Sequence, residues 1–555
     1  MKTTFKPYIH VVFFLMISFD GISQEFTLKL ISKNKVEQIV LDKIEYQKKF
    51  KNPASIQSEI EKIADQLKNF GYFTNTIDSV KNTNNNYNAF FTLNDLIEKA
   101  IIKIDSIAFS DIKTIVIKNN SFSIPINQLQ NTLNEISNSL DNQGKSFSKI
   151  HLENIIIKNK TLFADLKINL SEKRIINKVI VKGYDVFPKS FLKNYFKIKP
   201  LSIFNQKKME NISKKSKNLP FIKEIKPPEV LFTKDSTLLF LYFSKKQNNS
   251  IDGIVNFSSK ENGDLLFNGM LDVRFHNILT TGERFEIFWN SIGEERQEFK
   301  VTTAIPYIFN SKISPEISFS IYKQDSTFLN TNFNANFKLS IADFYTLGLK
   351  YDAESSENLE QSNLGNNIAA FSNNFYGIYF SYSKPKNDLF YFNKFYFEIN
   401  PAFGNRKIEY ENSKQFKLKS TASYIWDLNA RNSIYIKNET GYLNSDTYLN
   451  NELFRIGGAN SIRGYNEQSI FTESYTFFTI EYRILTSSLS YLYSITDFGQ
   501  FYSFKEQKKA LGIGFGFLFN VGNSQINLNT SVGKNNRNPI DFKDIKVIVN
   551  WKSYF

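Results

Sequence analysis

Two patterns of apolar and polar positions divide this chain near residue 250. Before that point, apolar side chains recur at helical spacing between short β-rich runs. After it, helical periodicity stops, and apolar and polar residues alternate in short segments separated by polar or Gly/Asn/Asp-rich turns. A period near 3.6 residues gives amphipathic helices, and a period of two gives strands with one apolar face. We therefore expect an α+β region followed by an all-β region.

The α+β region predicts three repeats of one small unit. Each unit runs strand, two helical stretches, strand, strand over about 75 residues, and repeats of this kind indicate an array. The order of elements repeats more clearly than the residues do. The predicted units cover residues 24–98, 99–172 and 173–248.

The third unit shows this order most clearly. Its first strand is Ile175–Val181, and Pro188 precedes a helical stretch at Lys189–Phe196. A second helical stretch runs from Asn205 to Leu219, where Pro220 ends it. The other elements that we predict are strands Glu224–Phe232 and Leu238–Phe243 in this unit; strands Ala100–Phe109, Ile150–Ile157 and Leu162–Leu170 with helix Ile126–Leu140 in the second; and strand Phe26–Ile31, helix Ser55–Phe70 and strands near 73–79 and 88–93 in the first.

The all-β region predicts a 16-stranded antiparallel transmembrane β-barrel over residues 249–555. About sixteen alternating segments give roughly nineteen residues per strand with its connection, and a membrane strand needs about 9–11. In Phe477–Ile484, the even positions are apolar and predicted to face lipid, while Glu481 and Arg483 face the other way. The competing fold is a soluble β-sandwich or propeller, which would bury the aromatic faces.

The two ends of this region are expected to pair and close the barrel. The segment Ile251–Phe257 would meet Ile545–Phe555, whose last residue is aromatic. Aromatic residues favour the membrane–water interface. We therefore interpret Trp551 and Phe555 as a C-terminal strand signal.

Residues 1–23 have the pattern of a secretory signal peptide. Lys2 and Lys6 form a positive start, Val11–Ile17 is apolar, and Gly21 and Ser23 are small residues suited to cleavage. The alternative is a membrane anchor, but the apolar run is far shorter than the ~20 residues that a membrane helix needs. We expect an exported protein.

Composition limits the chemistry of the chain. It has no Cys, which excludes disulfides and thiolate metal sites, and its histidines, His10, His151 and His276, lack the spacing of a zinc helix. No G-x-S-x-G motif occurs. We predict no enzyme activity, no catalytic residue, no cofactor and no metal. The net charge is +15, but the lysines form no single stripe, so we interpret them as solvated faces and expect no nucleic-acid partner.

A long glycine-rich connection is the strongest candidate site. The stretch from Gly457 to Tyr465 lies between segments near 432–445 and 477–485, where a hairpin would need only 2–5 residues. It carries Arg463 before a glycine, and arginine offers a rigid fork of donors to carboxylates. Inside a barrel this loop would fold inward to an acidic wall. The alternative is a surface loop with a solvated arginine.

Together these features resemble the outer membrane protein 85 superfamily, also called the bacterial surface antigen family. Its members join periplasmic POTRA domains to a 16-stranded barrel. Its arginine-containing loop motif is matched by Ile462, Arg463, Gly464 and Tyr465, preceded by Gly457-Gly458. Three units and a compact barrel look most like the TamA branch, whereas the BamA branch usually carries five POTRA units.

The resemblance implies two acidic partners for the arginine in the barrel lumen. The family's acidic residue in the next strand is matched by Glu481, and its D-x-G in the following strand by Asp497-Phe498-Gly499. Simple alternation puts Asp497 on the same face as Leu489, Tyr491 and Ile495, which we expect to face lipid. A bulge between Ile495 and Asp497 would turn Asp497 inward.

The resemblance also implies a function in the assembly or translocation of other proteins. The expected location is the cell outer membrane with the POTRA units in the periplasm. The expected partners are unfolded outer-membrane or secreted client proteins, outer-membrane lipid, and an inner-membrane or periplasmic protein. The alternatives are a two-partner secretion pore for one dedicated substrate, and a lipid-handling or structural outer-membrane barrel.

Overall fold

A computed structural model describes residues 25–104, 120–259, 265–293, 295–359, 367–386, 388, 390, 393–409, 411–534 and 542–555. The predicted signal peptide and the end of the predicted strand Ala100–Phe109 lie outside these ranges. The chain forms two compact units. One extends to Ile175 and includes Ile203–Gln206, and the other combines Ile176–Ser202 with Lys207–Phe555.

The first compact unit contains two mixed sheets among its described residues. The elements of the first sheet region are β1 (Phe26–Ile31), α1 (Lys35–Leu41), β2 (Lys49–Phe50), α2 (Pro53–Asn69), β3 (Thr76–Thr83) and β4 (Asn86–Thr92). Those of the second are β5 (Lys99–Ile104), β6 (Ser121–Pro125), a 3₁₀ turn (Ile126–Gln128), α3 (Leu129–Asn142), β7 (Lys149–Lys158) and β8 (Thr161–Asn169).

Both sheets have the same topology. Strand β1 runs parallel to β4, which pairs antiparallel with β3, and β5, β8 and β7 repeat this arrangement. Each sheet is covered by its longer helix, because apolar residues at helical spacing give that helix one face to bury. On α2 this face consists of Ile56, Ile60, Ile63 and Leu67, all buried as the sequence predicts. Asn52 caps α2 by accepting a hydrogen bond from the Ser55 amide, and Pro53 occupies the first turn, where no amide donor is needed.

The third sheet follows the same plan at the start of the second compact unit. The elements of this region are β9 (Ile175–Ile176), β10 (Lys178–Lys182), α4 (Lys189–Asn194), β11 (Ser202–Ile203), α5 (Gln206–Ser216), β12 (Ile222–Phe232) and β13 (Thr237–Lys245). The sheet consists of β10, β13 and β12, and β9 pairs separately with β11. Strand β10 is parallel to β13, and β13 is antiparallel to β12. The same strand topology is therefore present three times in the described residues. The second region has one α-helix among its described residues where two helical stretches are predicted, and the predicted domain limits stay a prediction.

Sixteen strands close into an antiparallel barrel within the residues that the structure describes. They are β14 (Ser250–Ser259), β15 (Leu265–His276), β16 (Arg284–Gly293), β17 (Arg296–Ala304), β18 (Ile313–Gln324), β19 (Phe328–Ala342), β20 (Tyr345–Asn358), β21 (Phe371–Pro385), β22 (Asn393–Ile408), β23 (Glu411–Asp427), β24 (Asn432–Asn444), β27 (Ser474–Ser487), β28 (Ser490–Ser503), β29 (Glu506–Val521), β30 (Ser524–Lys534) and β31 (Lys546–Tyr554). Short 3₁₀ turns lie at Ile308–Asn310, Asn450–Glu452 and Phe542–Asp544, and a small hairpin of β25 (Phe454–Ile456) and β26 (Ile470–Thr472) precedes β27. The prediction of a 16-stranded barrel is confirmed.

The barrel closes between its first and last strands, as predicted. Strand β14 pairs antiparallel with β31 over eight residue pairs, from Ser250–Tyr554 to Phe257–Val547. No helix in the described part of the chain is both long enough and apolar enough to span a membrane.

Alternation along the strands separates an apolar outer face from a polar lumen. Exposed apolar side chains on the outer face include Leu271, Trp289, Phe319, Leu349, Tyr376, Phe403, Trp426, Phe478 and Phe515. Buried polar side chains on the inner face include Asp272, Asn290, Thr302, Asp352, Asn373, Gln415 and Glu481. This is the reverse of a soluble protein, and it matches a barrel that is surrounded by lipid and lined by water.

Candidate functional site

The connection between β24 and β27, residues 445–473, lies inside the barrel and touches its inner wall on several sides. We call it the cross-lumen connection. A loop at membrane depth must lie within the protein, because lipid cannot satisfy its backbone polar groups. The predicted loop motif Ile462–Tyr465 is part of this connection, between its hairpin strands β25 and β26.

Arg463 is the centre of a buried ion network that we call the Arg463 anchor. Its amide and its Nε both donate to Oδ2 of Asp497, at 2.9 and 2.7 Å, and its Nη2 donates to Oδ1 at 2.7 Å. Its Nη1 donates to Oε1 of Glu481 at 2.6 Å. Arg463 is 8% exposed and Asp497 is 0% exposed. Bonds between opposite charges out of water are the strong class of hydrogen bond, and this fork uses two carboxylates at once.

Arg483 completes the network from the wall side. Its Nε donates to the second carboxylate oxygen of Glu481 at 2.8 Å, so Glu481 lies between two guanidinium groups. Burial alone would lower the pKa of Arg463, but the hydrogen bond to Asp497 and the charge of Glu481 raise it above its usual value. The guanidinium is therefore permanently charged, and removing either carboxylate would leave that charge poorly compensated.

The inward position of Asp497 corrects the expected strand parity. Tyr491, Tyr493 and Ile495 are buried on the same side as Asp497, whereas Leu492 and Phe498 are exposed on the outside. The pairing of β27 with β28 shows no register shift between Ile495 and Asp497. The expected lipid face of β28 was therefore wrong, and no bulge is needed. The error arose because aromatic and aliphatic residues on the inner face pack against each other and against Leu518 within the lumen.

Two wall glycines let the loop backbone lie directly against the strands. A Cβ added to Gly512 would be 1.9 Å from the carbonyl oxygen of Arg463. A Cβ on Gly533 would be 2.7 Å from the carbonyl oxygen of Gly464. Side chains at these positions would push the loop away from β29 and β30. Gly512 belongs to the alternation of glycine and apolar residues in β29 that is visible in the sequence, whereas Gly533 lies on β30.

The remaining motif residues fix the loop on the same wall. Ile462 is buried in an apolar cluster with Phe477, Phe501 and Ala510. The Tyr465 hydroxyl accepts from the Leu511 amide at 3.1 Å and donates to the Lys534 carbonyl. All four predicted motif residues therefore contact the wall around β27–β30.

The tip of the connection reaches the opposite side of the closing seam. Asn460 Nδ2 lies 3.6 Å from Met270 Sδ on β15, and Gln468 Nε2 donates to Glu298 on β17 at 2.8 Å. The connection thus contacts strands on both sides of the β14–β31 junction.

A second buried ion pair holds the start of the connection, and sequence reasoning missed it. We call it the Arg406 anchor. Arg406 on β22 is 1% exposed, and its guanidinium donates to Glu452, to the Thr447 carbonyl at 3.1 Å and to the Thr447 hydroxyl at 2.6 Å. Glu452 also accepts from Gln415 on β23 at 2.9 Å. No sequence motif identifies these residues. The one feature that could have indicated them is that alternation along β22 places Arg406 on the inner face of the barrel.

Asn451 extends the Arg406 anchor to further strands. Its Nδ2 donates to Ser356 Oγ at 2.6 Å and to the Ala369 carbonyl at 2.8 Å. Its own carbonyl accepts from Asn330 at 2.6 Å. The connection is therefore tied to β19–β23 at one end and to β27–β30 at the other, so it crosses the lumen.

Two polar cavities of about 650 and 670 Å³ lie beside the cross-lumen connection. The larger borders the seam, with Asp252, Asn527 and Asn550 among its lining residues. Within the described residues, no group of three His, Cys, Asp or Glu side chains could hold a metal ion.

Solved structures share this architecture at low sequence identity. CdiB from Acinetobacter baumannii matches with a TM-score of 0.53 and 14% identity, covering 77% of this chain and 82% of that one. CdiB from Escherichia coli matches with a TM-score of 0.52 and 12% identity, covering 90% and 98%. The fold is the one seen in the CdiB barrels.

A third solved structure is less similar, and the sequence alone matches no family model. BamA from Haemophilus ducreyi lacking POTRA domains 1–3 matches with a TM-score of 0.46 and 13% identity, covering 77% of this chain and 93% of that one. No family model matches the sequence, and no curated protein matches it. At these identities the likeness extends to the fold alone, so the role of the loop motif depends on the contacts described above.

The predicted C-terminal signal residues lie on the outer surface. Trp551 and Phe555 are both exposed, and the Phe555 amide bonds to the Asn249 carbonyl beside the seam. Their exposure is compatible with a position at the edge of a membrane, which stays a prediction.

Proposed function

We propose that this chain is an outer-membrane assembly or translocation factor. In this proposal the α+β units take up unfolded client polypeptides and the barrel inserts or exports them. The observation that carries it is the Arg463 anchor: an arginine loop is fixed inside a closed 16-stranded barrel that follows three α+β units. We propose no catalytic step and no cofactor.

The outer face of the barrel supports a membrane location. Its exposed aromatic and aliphatic side chains would cost free energy in water and gain it in lipid. The predicted signal peptide and the periplasmic position of the α+β units belong to the same proposal.

Open sheet edges in the α+β units support client binding. Strand β7 forms one edge of the second sheet and exposes Ile155, Ile156 and Ile157 in succession, next to a register shift after Glu153. An extended peptide can add to such an edge through main-chain hydrogen bonds, largely independently of its sequence. The edge strand β12 is less open, because Pro227 and Pro228 interrupt it.

The seam supports a route into the membrane. Strands β14 and β31 have 10 and 9 residues, whereas β22 and β23 have 16 and 17. The β14–β31 junction has eight residue pairs and the β22–β23 junction has fourteen, so fewer main-chain bonds need to break at the seam than there. We propose that this seam opens and templates client strands.

The cross-lumen connection favours this route over passage through the lumen. A polypeptide moving along the barrel axis would have to displace a segment held by two buried ion networks. A client strand that enters at the seam would leave this segment in place. The two-partner secretion pore remains the alternative, in which one of the anchors releases during export.

Quantitative outer-membrane proteomics after depletion of the protein tests the proposal. Loss of several unrelated barrel or surface proteins supports an assembly factor. Loss of one exported protein, with other barrels intact, supports the secretion pore. An unchanged protein profile with altered lipid composition supports the lipid-handling alternative and contradicts the proposal.

A further inference from the structure

The positive charge of the chain is concentrated in the third α+β region. Residues 176–248 contain sixteen Lys, no Arg and five Asp or Glu, a net charge of +11 out of +15 for the whole chain. The remaining residues are nearly balanced. The lysines are therefore concentrated in one region of the chain, although they form no single stripe.

This basic region is packed directly against one end of the barrel. The ring of Phe191 on α4 lies 5.1 Å from the ring of Tyr307, centre to centre, in the turn before β18. It also fills the space beside Gly282 in the turn before β16, where a Cβ would be 2.2 Å from the ring. The buried hydroxyl of Tyr184 accepts a hydrogen bond from Asn277 in the same turn.

Lysines surround these contacts. Lys215 and Lys197 both bond to Asp343, in the turn between β19 and β20, at 2.8 and 3.1 Å. Lys193 donates to the carbonyl of Asn310 at 3.2 Å. Exposed Lys189 begins α4, and exposed Lys246 lies four residues before β14, within roughly 14 Å of chain length.

Exposed apolar side chains lie among the same turns. Phe309, next to Asn310, is 94% exposed, and Leu279 is 73% exposed. A fully exposed phenylalanine is unfavourable in water. Lysines next to exposed apolar side chains, at the level where an apolar outer face ends, match the boundary between lipid tails and headgroups.

We propose that the exposed lysines of residues 176–248 nearest the barrel in the chain, Lys189 and Lys246 among them, bind the phosphate groups of anionic lipids in the surrounding leaflet. The inference rests on the proposed membrane location of the barrel. The occupant is lipid because the lysines lie around the barrel turns, where headgroups are present in any bilayer, and because Phe309 and Leu279 extend the surface with apolar groups. A lysine near an anionic surface favours binding by about five-fold.

Energy transfer in nanodiscs tests this proposal with the full-length chain. The chain has no Cys, so Val186→Cys gives one labelling site, exposed and two residues from Tyr184. Transfer from this donor is compared for headgroup-labelled phosphatidylglycerol and phosphatidylcholine tracers. The test variant is Lys189→Gln/Lys246→Gln. The matched control is Lys178→Gln/Lys234→Gln, because Lys178 pairs with Leu238 and Lys234 lies in the β12–β13 turn, both at the other end of the sheet.

We expect greater transfer to phosphatidylglycerol for the wild type and the control, and a loss of this preference in the test variant or at 1 M salt, where screening is strong. Equal transfer to both tracers in the wild type overturns the proposal. So does binding of soluble polyglutamate without a lipid preference, which indicates an acidic protein partner. Failure of the chain to enter the nanodisc contradicts the proposed membrane location as well, whereas entry with equal transfer contradicts this inference alone.

Discussion

Arg463 and Asp497 are joined by three hydrogen bonds, one from the backbone amide and two from the guanidinium, although they belong to a loop and a strand 34 positions apart. The backbone bond fixes the loop as well as the side chain. Asp497 therefore sets both the position of the peptide and the direction of the guanidinium fork toward Glu481.

Replacing Arg463 by Ala should release the loop without unfolding the barrel. Breaking a buried pair by removing one partner costs roughly 3–5 kcal/mol, because the remaining charges lose their partner. We expect faster proteolysis and hydrogen exchange in residues 457–469, with loss of activity. Arg463→Lys should show nearly the same loss of loop protection and activity as Arg463→Ala, because an ammonium group cannot reproduce the fork of donors that the guanidinium offers. Wild-type activity with unchanged protease resistance would count against the anchor.

Replacing Arg406 by Ala should free the other end of the cross-lumen connection. Glu452 would then be buried without its cation, and residues 445–453 should become mobile. Single-channel recording in planar bilayers should show larger and more variable conductance than the wild type. Arg431→Ala, in an exposed turn, is the control and should leave conductance unchanged. The double variant Arg406→Glu/Glu452→Arg should partly restore closure, and an equally open channel there would argue against a paired interaction.

Sequence patterns predicted much of the fold and only part of the site. Alternation and turns predicted sixteen barrel strands and their closure, since a half-buried strand has a period of two. The family motif predicted the Arg463 network. Neither could predict the Arg406 anchor, because an inward-facing arginine finds its partner 46 residues away only once the barrel has closed. The alternation of β28 predicted the wrong face for Asp497, because apolar residues can line the lumen as well as face lipid.

Adding a methyl group at Gly512 should displace the Arg463 loop. The added Cβ would lie 1.9 Å from the Arg463 carbonyl oxygen, so the loop must move. Gly253→Ala is the matched control. Gly253 lies in another strand of the same barrel, β14, and the nearest atoms to an added Cβ would be 3.9 Å away, an ordinary contact distance. Hydrogen exchange in residues 457–469 should rise for Gly512→Ala and stay unchanged for Gly253→Ala. Equal behaviour of the two variants would remove the argument for close packing.

The packing of the loop should weaken as pH rises from 4.5 to about 7. Burial raises the pKa of Glu467 from 4.5 to about 7; a bond from the Ala459 amide opposes the shift, and the charge of Glu298 adds to it. At pH values between 4.5 and about 7, the docked loop binds more protons than the released loop. The stability of the docked state therefore falls as pH increases. Protease sensitivity of residues 457–469 should therefore be greater at pH 8 than at pH 5. In Glu467→Gln this pH dependence should disappear, and its persistence would assign it to another group.

Locking the seam tests the central claim most directly. Val255 and Leu528 both pair with Val549, from opposite sides of β31. In a chain without Cys, Val549→Cys can be linked either to Val255→Cys across the seam or to Leu528→Cys within the wall. We predict that the first link blocks assembly of client barrels, reversibly on reduction, and that the second does not. Full activity with a quantitatively linked Val255–Val549 pair would contradict the proposal that clients enter the membrane through this seam.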